Sequence, residues 1–197
     1  MILYHKVRAV ERVFRQLEKE VATFQQATNL SCLSGCGKCC RKPDIFATPL
    51  EFLPLAYHLF KANEAQAWYD KLKEETDGLC PAFAPFLKPG AGGFCNAYGN
   101  RGLICRIFGF SAVLDKLGNP RLATCRTIKE EKPLEVTRAT EHIRSGGAVP
   151  LTRDYYFQLL AIDEKLAGRH LPIREAIREA LEAVLAYYAY RRPRKTI

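Results

Sequence analysis

The stretch Cys32-Leu-Ser-Gly-Cys36-Gly-Lys-Cys39-Cys40 decides how this chain is read. Four further cysteines follow at Cys80, Cys95, Cys105 and Cys125, and the two ends of the chain carry none. Two residues between Cys36 and Cys39 let a tight turn aim both sulfurs at one metal, and Gly37 suits that turn. The neighbours Cys39 and Cys40 fit poorly around one small tetrahedral ion. They serve two metals, or two corners of a cluster, more naturally. Eight sulfurs make two complete four-thiolate sets, so the pattern predicts two such sites close together, with Cys32, Cys36, Cys39, Cys40, Cys80, Cys95, Cys105 and Cys125 as metal ligands. One cluster with some cysteines free or structural is the alternative.

The four histidines, His5, His58, His142 and His170, all lie away from the cysteines and read as surface or cap residues. All-sulfur ligation points to an iron–sulfur cluster, one or two per chain, or to structural zinc. It disfavours a catalytic zinc with an open water position. Disulfides need an oxidising compartment. The first residues lack an apolar signal core, and no run approaches the roughly 20 apolar residues that cross a bilayer. A cytoplasmic location is therefore expected, where thiols stay reduced. At 197 residues the chain can bury a core without covalent staples.

The formal charge of +9 counts the cysteines as neutral. Two tetrathiolate centres at about −2 each would leave about +5, so much of the basic excess offsets thiolates. Arginine directly follows Cys40, Cys105 and Cys125. Arg41, Arg106 and Arg126 are accordingly the expected cations beside the cofactor. Arg101 and Arg106 bracket Cys105 and could alternatively meet an anionic substrate.

Working outward from the cysteines, three zones emerge: residues 1–30, 31–127 and 128–197. The first is an amphipathic helix, expected from about Tyr4 to Gln26. Val7, Val10, Phe14, Leu17, Val21 and Phe24 form one stripe that packs on the centre, and Asn29 closes the helix. In the central zone Thr48-Pro49-Leu50-Glu51 reads as a capping box, with a kink or restart at Pro54. A further helix is expected over Asn63 to Thr76, ending near Asp77 and Gly78. Pro81 to Tyr98 reads as loop. Ser111–Leu114 and Arg121–Thr124 read as a hairpin around Asp115–Pro120. Glu130 to Gly147 reads as a mobile connection. The last zone is a helical region packed on the centre. One helix is expected from Arg153 to Ala167, with Tyr156, Leu159, Leu160 and Leu166 inward and Gly168 as its stop. A last helix opens at Pro172, carries Ile173, Ile177, Leu181, Val184 and Tyr188 on one face, and ends at Pro193 before a solvated tail at 191–195. The fold class is thus mainly α, with a small irregular and hairpin-bearing cysteine-rich centre: one metal-centred domain flanked by helices.

Four pieces of the chain together resemble the YkgJ-like cysteine-cluster family, a zinc- or iron-chelating family named for a CxxCxxCC signature. They are Cys36-Gly-Lys-Cys39-Cys40-Arg41, Leu79-Cys80-Pro81-Ala-Phe83, Gly93-Phe-Cys95-Asn-Ala-Tyr98 and Arg101-Gly-Leu-Ile-Cys105-Arg106-Ile-Phe108-Gly-Phe110. The resemblance covers roughly residues 31–127. Two features depart from the pattern. Three residues separate Cys32 from Cys36 where the signature has two, and Gly102 stands where the family commonly has proline. The resemblance implies metal binding more than it implies a reaction. Some relatives resemble flagellin lysine N-methylases, but no glycine-rich nucleotide loop of the Rossmann type occurs here.

Three functions follow as expectations. The first is an iron–sulfur protein with a redox, sensing or cluster-dependent role and an unidentified redox or protein partner. The second is a structural zinc module contacting nucleic acid or an acidic protein. The third is a metal-dependent, methylase-like enzyme that modifies proteins.

Overall fold

A computed structural model of the protein describes residues 2–74, 79–87 and 92–191. The first helix, α1 (Leu3–Thr28), runs longer than the periodicity predicted at both ends. Asn29 ends it in the left-handed conformation, φ 58°, donating its N–H to Gln25 O. At about 1.5 Å per residue this helix is long enough to lie along two separate apolar clusters. Leu3, Val7, Val10, Phe14 and Leu17 enter the main one, and Phe24 enters a smaller one.

The chain then passes through a 3-10 turn (Cys39–Arg41) into β1 (Phe46–Ala47). The expected capping box is present. Thr48 and Glu51 bracket a 3-10 turn (Pro49–Phe52), and α2 (Leu53–Lys61) restarts with Pro54 in its first turn. Proline is tolerated there because the N–H it lacks would have had no partner within the helix. Next comes α3 (Ala65–Glu74), after Asn63 at φ 61°. The expected end of that helix near Asp77 and Gly78 lies outside the described residues.

Residues expected to be loop instead form an antiparallel pair, β2 (Phe83–Pro85) and β3 (Gly93–Cys95), with Phe83 opposite Cys95. A 3-10 turn (Tyr98–Asn100) and the short α4 (Leu103–Ile107) follow. The expected hairpin forms as β4 (Ser111–Leu114) with β5 (Pro120–Ala123), its second strand shifted one residue earlier so that Pro120 pairs with Leu114 instead of lying in the turn.

The connection expected over Glu130–Gly147 is largely helical: α5 (Arg126–Glu131) and α6 (Pro133–Arg144). Their inward residues Ile128, Ala139 and Ile143 meet Phe24, Leu30 and Ala112 in the smaller cluster. The single helix expected at 153–167 is two, α7 (Thr152–Ile162) and α8 (Glu164–Ala167). Asp163 breaks it. Its side chain accepts from Leu166 N at 3.1 Å as the N-cap of α8 and also pairs with Lys6 of α1. The inward residues of α7 are Tyr155 and Leu159, whereas Leu160 is exposed and Tyr156 half-buried.

Finally β6 (Leu171–Pro172) pairs antiparallel with β1, and α9 (Ile173–Tyr188) buries the whole expected face. Pro193 lies outside the described residues. Each fully buried side chain of that face contributes about 1.5–3 kcal/mol by leaving water. Among the described residues the architecture is mainly α with short antiparallel strand pairs. No helix among them is long and apolar enough to cross a membrane.

Candidate metal centre

All eight cysteines are free thiols. Cys80 is buried in the main apolar cluster and Cys105 lies between its members Leu103 and Ile107, whereas the segment that carries Cys32, Cys36, Cys39 and Cys40 has little apolar burial. From Ser31 to Phe46 no residue is buried, and the turn carrying Cys39 and Cys40 has no buried residue. Backbone hydrogen bonds shape these segments instead. Cys36 N donates to Leu33 O at 3.4 Å and Cys40 N to Gly37 O at 3.1 Å, with Gly35 and Gly37 at φ 65° and 56°. Cys80 N donates to Cys40 O at 3.0 Å, and Gly93 N to Gly35 O at 3.0 Å. The β2–β3 hairpin is thereby seated on the cysteine loop. A Cβ on Gly37 would fall 2.6 Å from the Phe83 ring.

The thiols act on one another electrically. The Cys40 thiol donates to the Cys39 sulfur, which pulls Cys39 down to about 6 and pushes Cys40 up. Burial and the charges of Cys39, Cys80 and Cys105 push Cys40 further in the same direction. Burial raises Cys80 to about 11, helped by Cys95 and Cys39. Burial likewise raises Cys95 and Cys105. Cys32 is raised by burial and then by Cys36, Cys39 and Cys125. Cys125 caps α5, accepting from Ile128 N at 3.3 Å, and Lys132 Nζ donates to Ser31 Oγ at 2.5 Å, tying α6 to the same loop. In these mutual effects Cys80 acts on Cys40 and Cys105, Cys95 acts on Cys80, Cys36 and Cys125 act on Cys32, and Cys39 acts on Cys32, Cys40, Cys80, Cys95 and Cys105. Among the described residues no three His, Cys, Asp or Glu side chains stand at the spacing one ion requires. The donor set is nonetheless all thiol, the chemistry that soft metals and iron–sulfur clusters take.

The three arginines that follow cysteines have different surroundings. Arg41 is exposed on the cysteine turn. Arg126 is exposed and pairs with Glu130 at 2.6 Å. Arg106 is buried. Its Nε donates to Arg101 O at 2.9 Å and its Nη2 to Gly99 O at 2.7 Å, while Nη1 pairs with Glu18 of α1 and the guanidinium lies 4.7 Å from the Phe14 ring. These bonds tie α4 to α1. A cleft of about 220 Å³ beside it is lined by Glu11, Arg15, Glu18, Asn100 and Arg106, and by no cysteine.

Arg106 interacts with the charge of Cys105, and two further cations, Arg101 and Arg174, act on the sulfurs. Arg101, stacked 3.6 Å over the Tyr98 ring, lowers Cys39, Cys95 and Cys105. Arg174 of α9 lowers Cys80 and donates to Leu79 O at 2.8 Å. Nothing in the local sequence announced Arg174, which reaches the site from 94 residues beyond Cys80. His5, His58 and His170 are exposed, and His142 packs 5.8 Å from the Phe24 ring.

Glu51, read only as a cap in the sequence, is fully buried beside the site. Burial raises its carboxyl to about 7, against N–H donors at Thr48 and Ile104 that favour the charged form. The unfolded chain would release this proton near 4.5. Glu51 therefore contributes stability that is whole below about 4.5 and is lost as pH rises through about 7. Cys39, lowered to about 6, works in the opposite sense only at higher pH. Urea unfolding of the reduced, metal-free protein should accordingly show falling stability between about pH 4.5 and 6, a slope absent in Glu51→Gln. A slope unchanged by that substitution would remove Glu51 as its source.

Among known proteins, the family model CxxCxxCC, described as "Putative zinc- or iron-chelating domain", matches residues 31–138. No curated protein and no solved structure matches the chain.

Proposed function

The chain belongs to the CxxCxxCC zinc- or iron-chelating family, and from that premise we propose that it is a cytoplasmic iron–sulfur protein holding two clusters on two four-thiolate sets. Cys40, Cys80, Cys95 and Cys105 form one set. Cys32, Cys36, Cys39 and Cys125 form the other. The carrying observation is the vicinal pair. Cys40 feels the charges of Cys80 and Cys105, while Cys39 acts on Cys32 as well as on Cys80, Cys95 and Cys105, so the pair stands where the two sets would meet. Arg101 and Arg174 supply positive charge on the side of the first set, where a bound cluster adds negative charge. With no histidine or exposed carboxylate among the donors, the centres would serve electron transfer, sensing or cluster-dependent chemistry rather than activation of a metal-bound water.

The zinc reading has an observation of its own. No Asp or Glu occurs from Leu79 to Leu114, and Lys38, Arg41 and Lys42 are exposed on the cysteine loop. Such a face suits an acidic protein or a nucleic acid.

Metal analysis of anaerobically purified protein separates the two. The iron reading expects a brown protein with about eight iron and eight labile sulfide per chain. Cys80→Ser and Cys125→Ser should each remove about half of the iron, because they belong to different sets. A colourless protein with stoichiometric zinc would replace this reading with the second.

A further inference from the structure

The Glu51 carboxylate has no cation against it among the groups that hold it. Its Oε1 accepts from Thr48 N at 2.6 Å and from Thr48 Oγ1 at 3.2 Å. Its Oε2 accepts from Ile104 N at 2.7 Å, across 53 residues of sequence. Both oxygens are therefore used as acceptors, a demand that a carboxylate meets and an amide does not. Ile104 lies in the first turn of α4, the residue before Cys105. Space for the carboxylate is kept by Gly102. A Cβ there would fall 2.9 Å from Glu51 Oε2, and 2.7 and 2.8 Å from atoms of the Phe52 ring. Proline, which the resemblance expects at this position, carries that Cβ.

A buried carboxyl without a counter-ion is costly to ionise unless both its oxygens are hydrogen-bonded. The capping box alone needs only one oxygen of its glutamate, and glutamine serves that role in other helices. The second oxygen is spent on a distant segment whose only cysteine is Cys105. We propose that Glu51 is a positioning residue of the metal centre: it clamps the amide of Ile104 and so fixes the direction in which α4 presents the Cys105 sulfur. Arg106 holds the other side of the same short helix through Gly99, Arg101 and Glu18. Alpha-4 is thus braced from two sides, with the cysteine between the braces. The inference rests on the reading of Cys105 as a ligand, but its first test does not.

Two variants and two measurements decide it. Glu51→Gln keeps the shape and loses one acceptor. Glu51→Asp keeps the charge but withdraws it by one methylene. In the metal-free, reduced protein, hydrogen exchange at the Ile104 amide is expected to speed up at least about tenfold in both, the size of one lost buried hydrogen bond. Alkylation of Cys105, followed by peptide mass spectrometry, should quicken in both, while Cys32 and Cys36 keep their wild-type rates. Faster alkylation in Glu51→Gln alone would assign the effect to charge and overturn positioning. Equal quickening at all the cysteines would mark a general loss of stability and overturn it too. In the loaded protein, the metal of the Cys105 set should leave to a chelator about tenfold faster in both variants, with the other set unchanged. If wild-type protein binds no metal, the proposed function fails, while the exchange and alkylation results still stand or fall by themselves.

Discussion

Gly92→Ala is expected to lift the β2–β3 hairpin off the cysteine loop and remove about half of the bound metal. Gly92 has φ 88°, a conformation that costs any residue with a Cβ about 1–2 kcal/mol. The added carbon would also lie 2.2 Å from Gly35 O and 3.1 Å from Cys36 O. Both atoms are backbone, so no rotamer change relieves the overlap. The strand must move instead, and with it the Gly93 N–H that reaches Gly35 O and the Cys95 sulfur two residues further on. Gly118→Ala is the matched control. That glycine has φ 82°, yet nothing lies within 4 Å of its missing Cβ. It should cost only the backbone term and leave metal content intact. Metal per chain and thermal midpoint, measured on both variants after identical reconstitution, separate the two effects. Gly92→Ala protein that loads like wild type would mean the hairpin seat does not matter for the centre.

Removing the metal is expected to melt the cysteine segments and spare the helical core. The apolar cluster draws on α1, α2 and α9, where Val10, Leu17, Leu53, Leu181 and Val184 are completely shielded. The cysteine loop is anchored far more lightly: no residue of 31–46 is fully buried, only Cys40 and Ile45 of that stretch rest half-buried against the cluster, and the hairpin fully buries only Gly93 among its strand residues. Segments of that kind open easily when a few backbone hydrogen bonds are all that hold them. Structural metal in small thiolate sites contributes about 10–16 kcal/mol, more than such bonds can replace. Hydrogen exchange should therefore reach the fast limit over 31–46 and 92–101 in the stripped protein. Amides of α1, α2 and α9 should remain protected, and most of the helical circular dichroism should persist. Equal protection of the 31–46 segment with and without metal would show that the loop is folded by the protein alone.

Periodicity carried the helical part of the fold. The stripe from Val7 to Phe24 and the face from Ile173 to Tyr188 repeat over several turns, so one misjudged residue does not erase them. Thr48, Pro49 and Glu51 announced their turn because a capping box is wholly local. The β2–β3 hairpin gave no comparable signal. Its strands are three residues long, and they pair because Gly93 docks on Gly35, a contact between segments far apart in sequence. Asp163 did carry a signal, since aspartate three residues before a helical amide is a strong cap, but the flanking apolar residues suggested one continuous helix. Pro133 similarly marked the start of α6 within a stretch read as a connection. At the site the sulfurs were visible as a pattern. Glu51 and Arg174 were not, because their relevance arises only when Ile104 and Leu79 are brought to them.

The main apolar cluster joins Leu3–Leu17 to Ile173–Tyr188, the first helix to the last. A ribosome makes α1 long before α9, and Cys32 through Cys125 emerge in between. The thiols thus reach the cell's solvent well before α9 exists to close the core beneath them. Nascent chains will spend that interval with eight reduced sulfurs unsheltered, open to oxidants and to whatever delivers metal.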